Sequence, residues 1–158
     1  MQTVYIETTI PSYLAAHPSS QAWLAADQRL THAWWQNDRS RFRLYTSVFT
    51  IDEAARGDAG AAARRLQYLS GIPDLAIPAE LPRLESDIIK LFRLPQRAAT
   101  DASHLAMAVL HRMDYLLTWN CTHLANATLQ KELMDYCRYN NLHFPIICTP
   151  EVLTEPQV

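Results

Sequence analysis

Short apolar runs rich in β-branched and aromatic residues alternate with longer stretches of helical periodicity along the chain. Val4-Tyr5-Ile6 is the first run; it ends at Glu7-Thr8-Thr9, and Pro11 suits the first turn of a helix. A helical pattern follows from about Gln21 to Gln36, with Leu24, Leu30, Trp34 and Trp35 among its apolar positions. Arg43-Leu44-Tyr45-Thr46-Ser47 reads as a strand, and Asp52 to Arg56 as a short helix closed by Gly57. Ala61 to Leu69 is helical, with Gly71 at a plausible C′ position. Leu75-Ala76-Ile77 is a candidate strand, and Pro82 opens a helix carried by Leu84, Ile88, Leu91 and Phe92. Thr100 can cap a helix that begins at Asp101 and continues through Leu105, Ala108, Val109 and Leu110. Tyr115 to Trp119 reads as a buried strand, about His123 to Tyr139 as a helix, and Pro145-Ile146-Ile147-Cys148 as a last strand. Thr149-Pro150-Glu151 combines an N-cap with proline at N1, predicting a short final helix.

Strands and helices that alternate in this way, with short all-apolar strands, predict an α/β fold. The expected architecture is three-layer α/β/α, with a mostly parallel sheet of about five strands covered on both faces. One domain is expected over residues 1–158. Ligands of such sheets bind beyond the carboxyl ends of the strands, at a topological switch point. The polar residues there are therefore the candidates. Glu7 follows the first strand, and Glu53 lies in the short helix after the second. Asp101 opens the helix leading into the fourth strand, and Asn120 closes that strand. Carboxylates brought together repel unless a cation neutralises them, and carboxylate and amide oxygens suit hard cations such as Mg²⁺ or Mn²⁺. Each residue also has a plain structural reading: Glu7 could cap the Pro11 helix, and Asp101 complements a helix dipole.

Composition narrows the class. Of 158 residues, 49% are apolar and 19% charged, with 3 Gly and 9 Pro, which excludes collagen-like, low-complexity and disordered chains. No apolar run approaches the roughly 18 residues of a membrane span, and Met1-Gln2-Thr3-Val4-Tyr5 lacks the features of a signal peptide. Cys121, Cys137 and Cys148 are an odd number without framework spacing, so a reduced, cytoplasmic setting is expected. The formal net charge of −2 neither announces nor excludes a nucleic-acid binder. Arg39, Arg41 and Arg43 form one local basic cluster and Arg64-Arg65 another, which read as ordinary solvated surface.

Val4-Tyr5-Ile6-Glu7-Thr8-Thr9-Ile10 resembles the opening of a PIN domain. Phe49-Thr50-Ile51-Asp52-Glu53 resembles the segment with that family's second acid, and Asp101-Ala102-Ser103-His104-Leu105-Ala106-Met107-Ala108 is similar to its D-A-x-H-x-A-x-A helix. Leu116-Leu117-Thr118-Trp119-Asn120, with His123 and Ala125-Asn126, resembles its strand-plus-T-x-D segment. The likeness runs in order from about Val4 to Val152, and is nearest to bacterial PIN proteins of the VapC type, toxins of toxin–antitoxin pairs.

The resemblance implies a metal-dependent endoribonuclease with Glu7, Glu53, Asp101 and Asn120 at the four acid positions. Glu7 and Asp101 would be the principal ligands of Mg²⁺ or Mn²⁺, and Thr8, Thr9 and Thr118 would donate to the carboxylates. Arg39, Arg41 and Arg43 would hold RNA. Two departures stand out: Glu7 is one methylene longer than the usual Asp, and Asn120 keeps an oxygen but drops a negative charge. The second favours an alternative, a catalytically weak PIN fold serving as an RNA-binding or assembly module. An unrelated α/β domain whose acids are surface caps is the third reading. A homodimer and an antitoxin partner are also implied. The dimer is further motivated by Trp34 and Trp35, which would be difficult to bury together beside Trp23. His104 and His111, seven apart, read as core or rim histidines rather than ligands, and Cys121 with His123 lacks the second pair that a zinc site needs.

Overall fold

Three consecutive apolar residues are stable in a strand only where both faces of the sheet are covered. Val4, Tyr5 and Ile6 are 0% exposed and form β1 (Thr3–Ile6) at the middle of a five-stranded sheet. The computed structural model describes residues 1–156. The other strands are β2 (Arg43–Ser47), β3 (Asp74–Leu75), β4 (Tyr115–Leu117) and β5 (Ile146–Cys148), in the order β3-β2-β1-β4-β5. Every pairing is parallel. The crossovers run through α1 (Thr9–Ala15), α2 (Ala22–Asn37), α3 (Val48–Ala54), α4 (Ala59–Leu69), α5 (Leu81–Phe92), α6 (Ala99–Leu110) and α7 (Ala127–Tyr139).

Alternation along the strands divides the core. Tyr5 and Leu116 pack with α5, α6 and α7, whereas Val4, Ile6 and Leu117 pack with Ile10 and Leu14 of α1 and Trp34 and Trp35 of α2. The fold is thus the expected α/β/α arrangement, with a sheet that is parallel throughout. The chain moves outward from β1 to β2 and β3, then returns to the other side of β1 for β4 and β5. The order reverses at β1, so the loops after β1 and β4 meet at one edge.

Several expectations are corrected. α3 starts at Val48, directly after β2, not at Asp52. Its β-branched first turn is helical because Thr50 is fully buried and its hydroxyl donates to the Ile6 carbonyl at 3.1 Å; tertiary packing overrides propensity there. Thr100 lies inside α6, which grows out of a 3₁₀ turn at Gln96–Ala98 and has Ala98 at its N-cap. β3 stops at Leu75: the Ala76 carbonyl pairs with the His111 ring, and Ile77 is exposed. α7 begins at Ala127, where the Asn126 side chain accepts from the amides of Thr128 and Leu129. Thr149 and Pro150 introduce a turn rather than a helix.

Trp34 and Trp35 are both buried. The Trp34 indole donates to the Leu153 carbonyl at 2.7 Å and stacks on Phe42, while Trp35 meets Tyr68 edge-on. Their burial removes the packing argument for a dimer; Trp23 is the exposed indole, at 64%. Among the described residues, no helix is long and apolar enough to cross a membrane.

Candidate active site

Glu7 continues β1 by one residue, its amide donating to the Leu117 carbonyl of β4 at 3.2 Å. That bond carries the carboxylate to the sheet's carboxyl edge, where it is 4% exposed. Its Oε2 accepts from the Thr9 amide (2.9 Å), the Thr9 hydroxyl (2.5 Å) and the Thr118 hydroxyl (2.8 Å). A charge so deeply placed needs such donors. Both threonines are themselves fixed: Thr9 Oγ1 accepts from the Trp119 amide at 2.8 Å, and Thr118 Oγ1 from the Asn120 amide at 2.9 Å.

Glu53 reaches the same edge from α3. Its Oε1 accepts from the Thr8 hydroxyl at 2.7 Å and pairs with His104 Nε2 of α6 at 2.5 Å. The other ring nitrogen, Nδ1, lies 2.8 Å from the Tyr5 hydroxyl, which is 2.6 Å from Ser47 Oγ. Burial opposes charge on the wholly buried imidazole. The Tyr5 oxygen, the hydrogen bond to Glu53 and the charges of Glu7 and Glu53 outweigh it and push His104 up to about 10. Burial likewise acts to raise the Glu53 carboxyl. The hydrogen bond and charge of His104, the Thr8 hydroxyl and the Arg56 guanidinium overcome that and hold it below the usual carboxylate range. At neutral pH the two are an imidazolium and a carboxylate.

One ligand atom each from Glu7, Glu53 and His104 lies within 4.8 Å of the others. Among the described residues no other group of histidine, cysteine and acidic side chains is gathered so closely. Asp101 stands one turn before His104 on α6, on the same face, but its Oδ2 is paired with His123 Nδ1 at 3.0 Å. Asn120 Oδ1 accepts from the His123 amide at 3.0 Å, and its backbone carbonyl accepts from Leu124 and Ala125. Asn120 thus shapes the turn that presents His123 to Asp101.

Among the described residues, Glu7, one of the two expected principal ligands, stands in this group of three with Glu53 and His104, while Asp101, the other, is paired with His123. Thr8, Thr9 and Thr118 all donate to the carboxylates. His104 is a core histidine in its burial but not in its role, and His123 is the partner of Asp101. The sequence signal for both was spacing: His104 follows Asp101 by three residues and His123 follows Asn120 by three. Arg39, Arg41 and Arg43 stand elsewhere. They precede or begin β2, whose five residues carry the chain more than roughly 10 Å toward the acids at about 3.3 Å per residue. Arg39 lies over the Trp35 ring and Arg41 pairs with Asp38.

The donor set fits a hard cation. Among the described residues no hydrogen bond reaches Glu7 Oε1, Glu53 Oε2 or Asp101 Oδ1, since the contacts above all use the other oxygen. Among the described residues no buried side-chain oxygen lacks a partner, so these three are not sealed from solvent. Both nitrogens of His104 are engaged, so within the Glu7–Glu53–His104 group the free ligand atoms are oxygens. Comparison of the chain with models of known protein families gives no match, and no similar sequence is found among curated proteins.

Proposed function

We propose that the protein is a metal-dependent endoribonuclease of the PIN type, the toxin of a toxin–antitoxin pair, hydrolysing RNA phosphodiester bonds to a 5′-phosphate and a 3′-hydroxyl. The observation that carries this reading is the convergence of Glu7 and Glu53 within 4.8 Å at the sheet's switch point, each with a free oxygen. Glu7, Glu53 and Asp101 would hold Mg²⁺ or Mn²⁺, with the ion adding a Lewis acid and an activated water when bound. Thr9 and Thr118 fix one oxygen of Glu7, so its other oxygen points without conformational cost. His104 positions Glu53 and reduces the repulsion between the two glutamates. The homodimer and the antitoxin rest on the family resemblance alone; an Arg or Lys entering the acidic pocket is the expected mode of inhibition.

The second reading, a catalytically weak RNA-binding or assembly module, is favoured by a different observation. Glu53 and Asp101 already have histidine partners, and the Asn120 oxygen is committed to the His123 amide. End-labelled RNA incubated with the purified protein, in Mn²⁺ and in chelator, separates the two. Metal-dependent cleavage that vanishes in Glu7→Gln supports the nuclease. Cleavage equal in wild type and variant marks a contaminant and defeats it, and RNA binding without cleavage in Mn²⁺ selects the second reading.

A further inference from the structure

A polar chain runs through the core on one face of the sheet and ends at the acid site. Tyr5 stands two residues before Glu7 along β1, so the two share a face. Ser47 closes β2 on that face, two residues beyond Tyr45, the register partner of Tyr5. The Tyr5 hydroxyl lies 2.6 Å from Ser47 Oγ, 2.8 Å from His104 Nδ1 and 3.4 Å from Thr50 Oγ1. His104 Nε2 then pairs with Glu53 Oε1 at 2.5 Å. Tyr5, Ser47, Thr50 and His104 are all 0% exposed. Tyr5 otherwise belongs to an apolar cluster, where a phenylalanine would fill the place of its ring with no hydroxyl to satisfy. What the hydroxyl does fix is the ring of His104. A half-turn of the imidazole about its last torsion puts carbon where each nitrogen stood, and that torsion is soft. With Nδ1 against the Tyr5 hydroxyl, only one orientation keeps both contacts, and it is the one that presents Nε2 to Glu53.

We propose that Tyr5 and Ser47 are positioning residues of the acid site, acting through His104 to hold Glu53 in the orientation that leaves Oε2 for a divalent cation. The inference rests on the nuclease reading for the presence of the cation, but not for the alignment of Glu53. Glu53 is half-buried, and its other anchor is the Thr8 hydroxyl on the same Oε1. A glutamate side chain gives up rotamer freedom when it ligates an ion; one oxygen held beforehand lowers that cost. Hydrogen-bond partners of metal ligands act in this way, and their loss is felt in metal affinity. Ser47 and Tyr5 exert the hold from inside the core, where water does not compete for the same atoms. The alternation of β1 divides the work: Val4 and Ile6 pack against α1 and α2, while Tyr5, between them, faces His104.

The test is metal binding. Calorimetric titration with Mn²⁺ near neutral pH compares the wild type, Tyr5→Phe, Ser47→Ala and Tyr136→Phe. Tyr136→Phe is the control: it too removes a tyrosine hydroxyl, one that donates to Asp87 of α5 at 2.8 Å, outside the acid site. Tyr5→Phe is expected to weaken Mn²⁺ binding about 10- to 100-fold, the range for outer partners of metal ligands. Ser47→Ala should weaken it less, and Tyr136→Phe not at all. Tyr5→Phe leaves His104 Nδ1 without its partner in the core and lowers stability whatever its role. Thermal unfolding is therefore recorded, and each titration is made where the variant is folded. If Tyr5→Phe does not fold, Ser47→Ala decides, and wild-type affinity in it overturns the proposal. A second readout needs no metal: the imidazole N–H signal of His104 in NMR spectra should exchange faster with water in Tyr5→Phe. Wild-type affinity in Tyr5→Phe, or an equal loss in Tyr136→Phe, overturns the proposal. A wild type that binds no Mn²⁺ rejects the nuclease reading; the ring signal then decides, faster exchange keeping the positioning role and unchanged exchange overturning it. Mn²⁺ binding that weakens as expected in a protein that cleaves no RNA keeps the positioning and rejects the nuclease.

Discussion

The two ends of the sheet use the same chemistry differently. At the amino end Asp114 Oδ2 accepts from the Thr3 amide at 2.8 Å and the Thr3 hydroxyl at 3.2 Å, while the Asp114 amide donates back to Thr3 Oγ1 at 3.0 Å. One carboxylate thereby ties the start of β1 to the start of β4. At the carboxyl end Glu7 is also held by threonines, but a second carboxylate and a buried imidazole lie within 4.8 Å. A lone carboxylate with backbone and hydroxyl donors serves the fold. Two carboxylates drawn together work against it, and such a cluster needs a counter-charge that the fold alone did not require. Like charge gathered at a switch point, not the presence of acids at strand ends, distinguishes the two.

The largest effect that would break this contrast is on activity. Glu53→Gln is expected to lower RNA cleavage by more than about a hundredfold, since even outer partners of metal ligands matter at the 10- to 100-fold level. Asp101→Asn should do the same while the metal-free protein melts no lower, because one of several mutually repelling charges is gone. Cleavage kinetics and thermal unfolding of the same preparations check both. Asp114→Ala should do the opposite. It leaves the Thr3 amide without its partner and costs about 1–3 kcal/mol of stability, with cleavage per folded molecule unchanged. A loss of cleavage at the amino end would erase the distinction.

The contrast was half legible in the chain. Val4-Tyr5-Ile6 and Tyr115-Leu116-Leu117 read as strands because burial on both faces removes polar alternation, and two of the acids that follow strands, Glu7 and Glu53, do come together at the sheet's carboxyl edge. What did not show was anything fixed by contact between distant segments. His104 sits among alanine and leucine and reads as core; only the fold brings Glu53, fifty-one residues away, to its Nε2. Arg39, Arg41 and Arg43 look like a nucleic-acid patch until the direction of β2 sets them at the far end. Trp34 and Trp35, adjacent on a helix, read as difficult to bury together, yet both are buried. The final turn at Leu153 and the strand-entry residue Phe42 bury Trp34, and Tyr68 of α4 covers Trp35.

A smaller, pH-dependent effect sharpens the comparison because only the carboxyl end carries a shifted ion pair. His104 is raised from 6.5 to about 10, so its contribution to stability is complete below 6.5 and is lost as pH rises through about 10. Glu53 is lowered, so its contribution is complete above its unfolded value of 4.5 and is lost as pH falls through the folded one. The metal-free protein should therefore lose stability progressively on the alkaline side between 6.5 and about 10. Thermal unfolding across that range reads it directly. His104→Gln should be less stable near neutrality and flatter above it; a wild-type alkaline limb that persists in the variant would assign the effect to another group.

The smallest expected change concerns Asn120. Its side-chain oxygen accepts from the His123 amide, a task aspartate performs equally well, so Asn120→Asp should preserve the turn and the His123–Asp101 pair. What it adds is one negative charge beside an edge already rich in them. Without metal that charge is mildly unfavourable, and His123 lies between it and Asp101, which limits the repulsion. With metal the charge attracts the ion whether or not the new oxygen ligates it. Mn²⁺ binding measured by calorimetry should tighten by less than tenfold, under about 1.4 kcal/mol, while the metal-free melting temperature falls slightly. A larger gain would mean that residue 120 ligates the ion directly and gives up the His123 amide. Unchanged affinity would mean that the ion sits on the Glu7 and Glu53 side of the edge, where the carboxylates are closest.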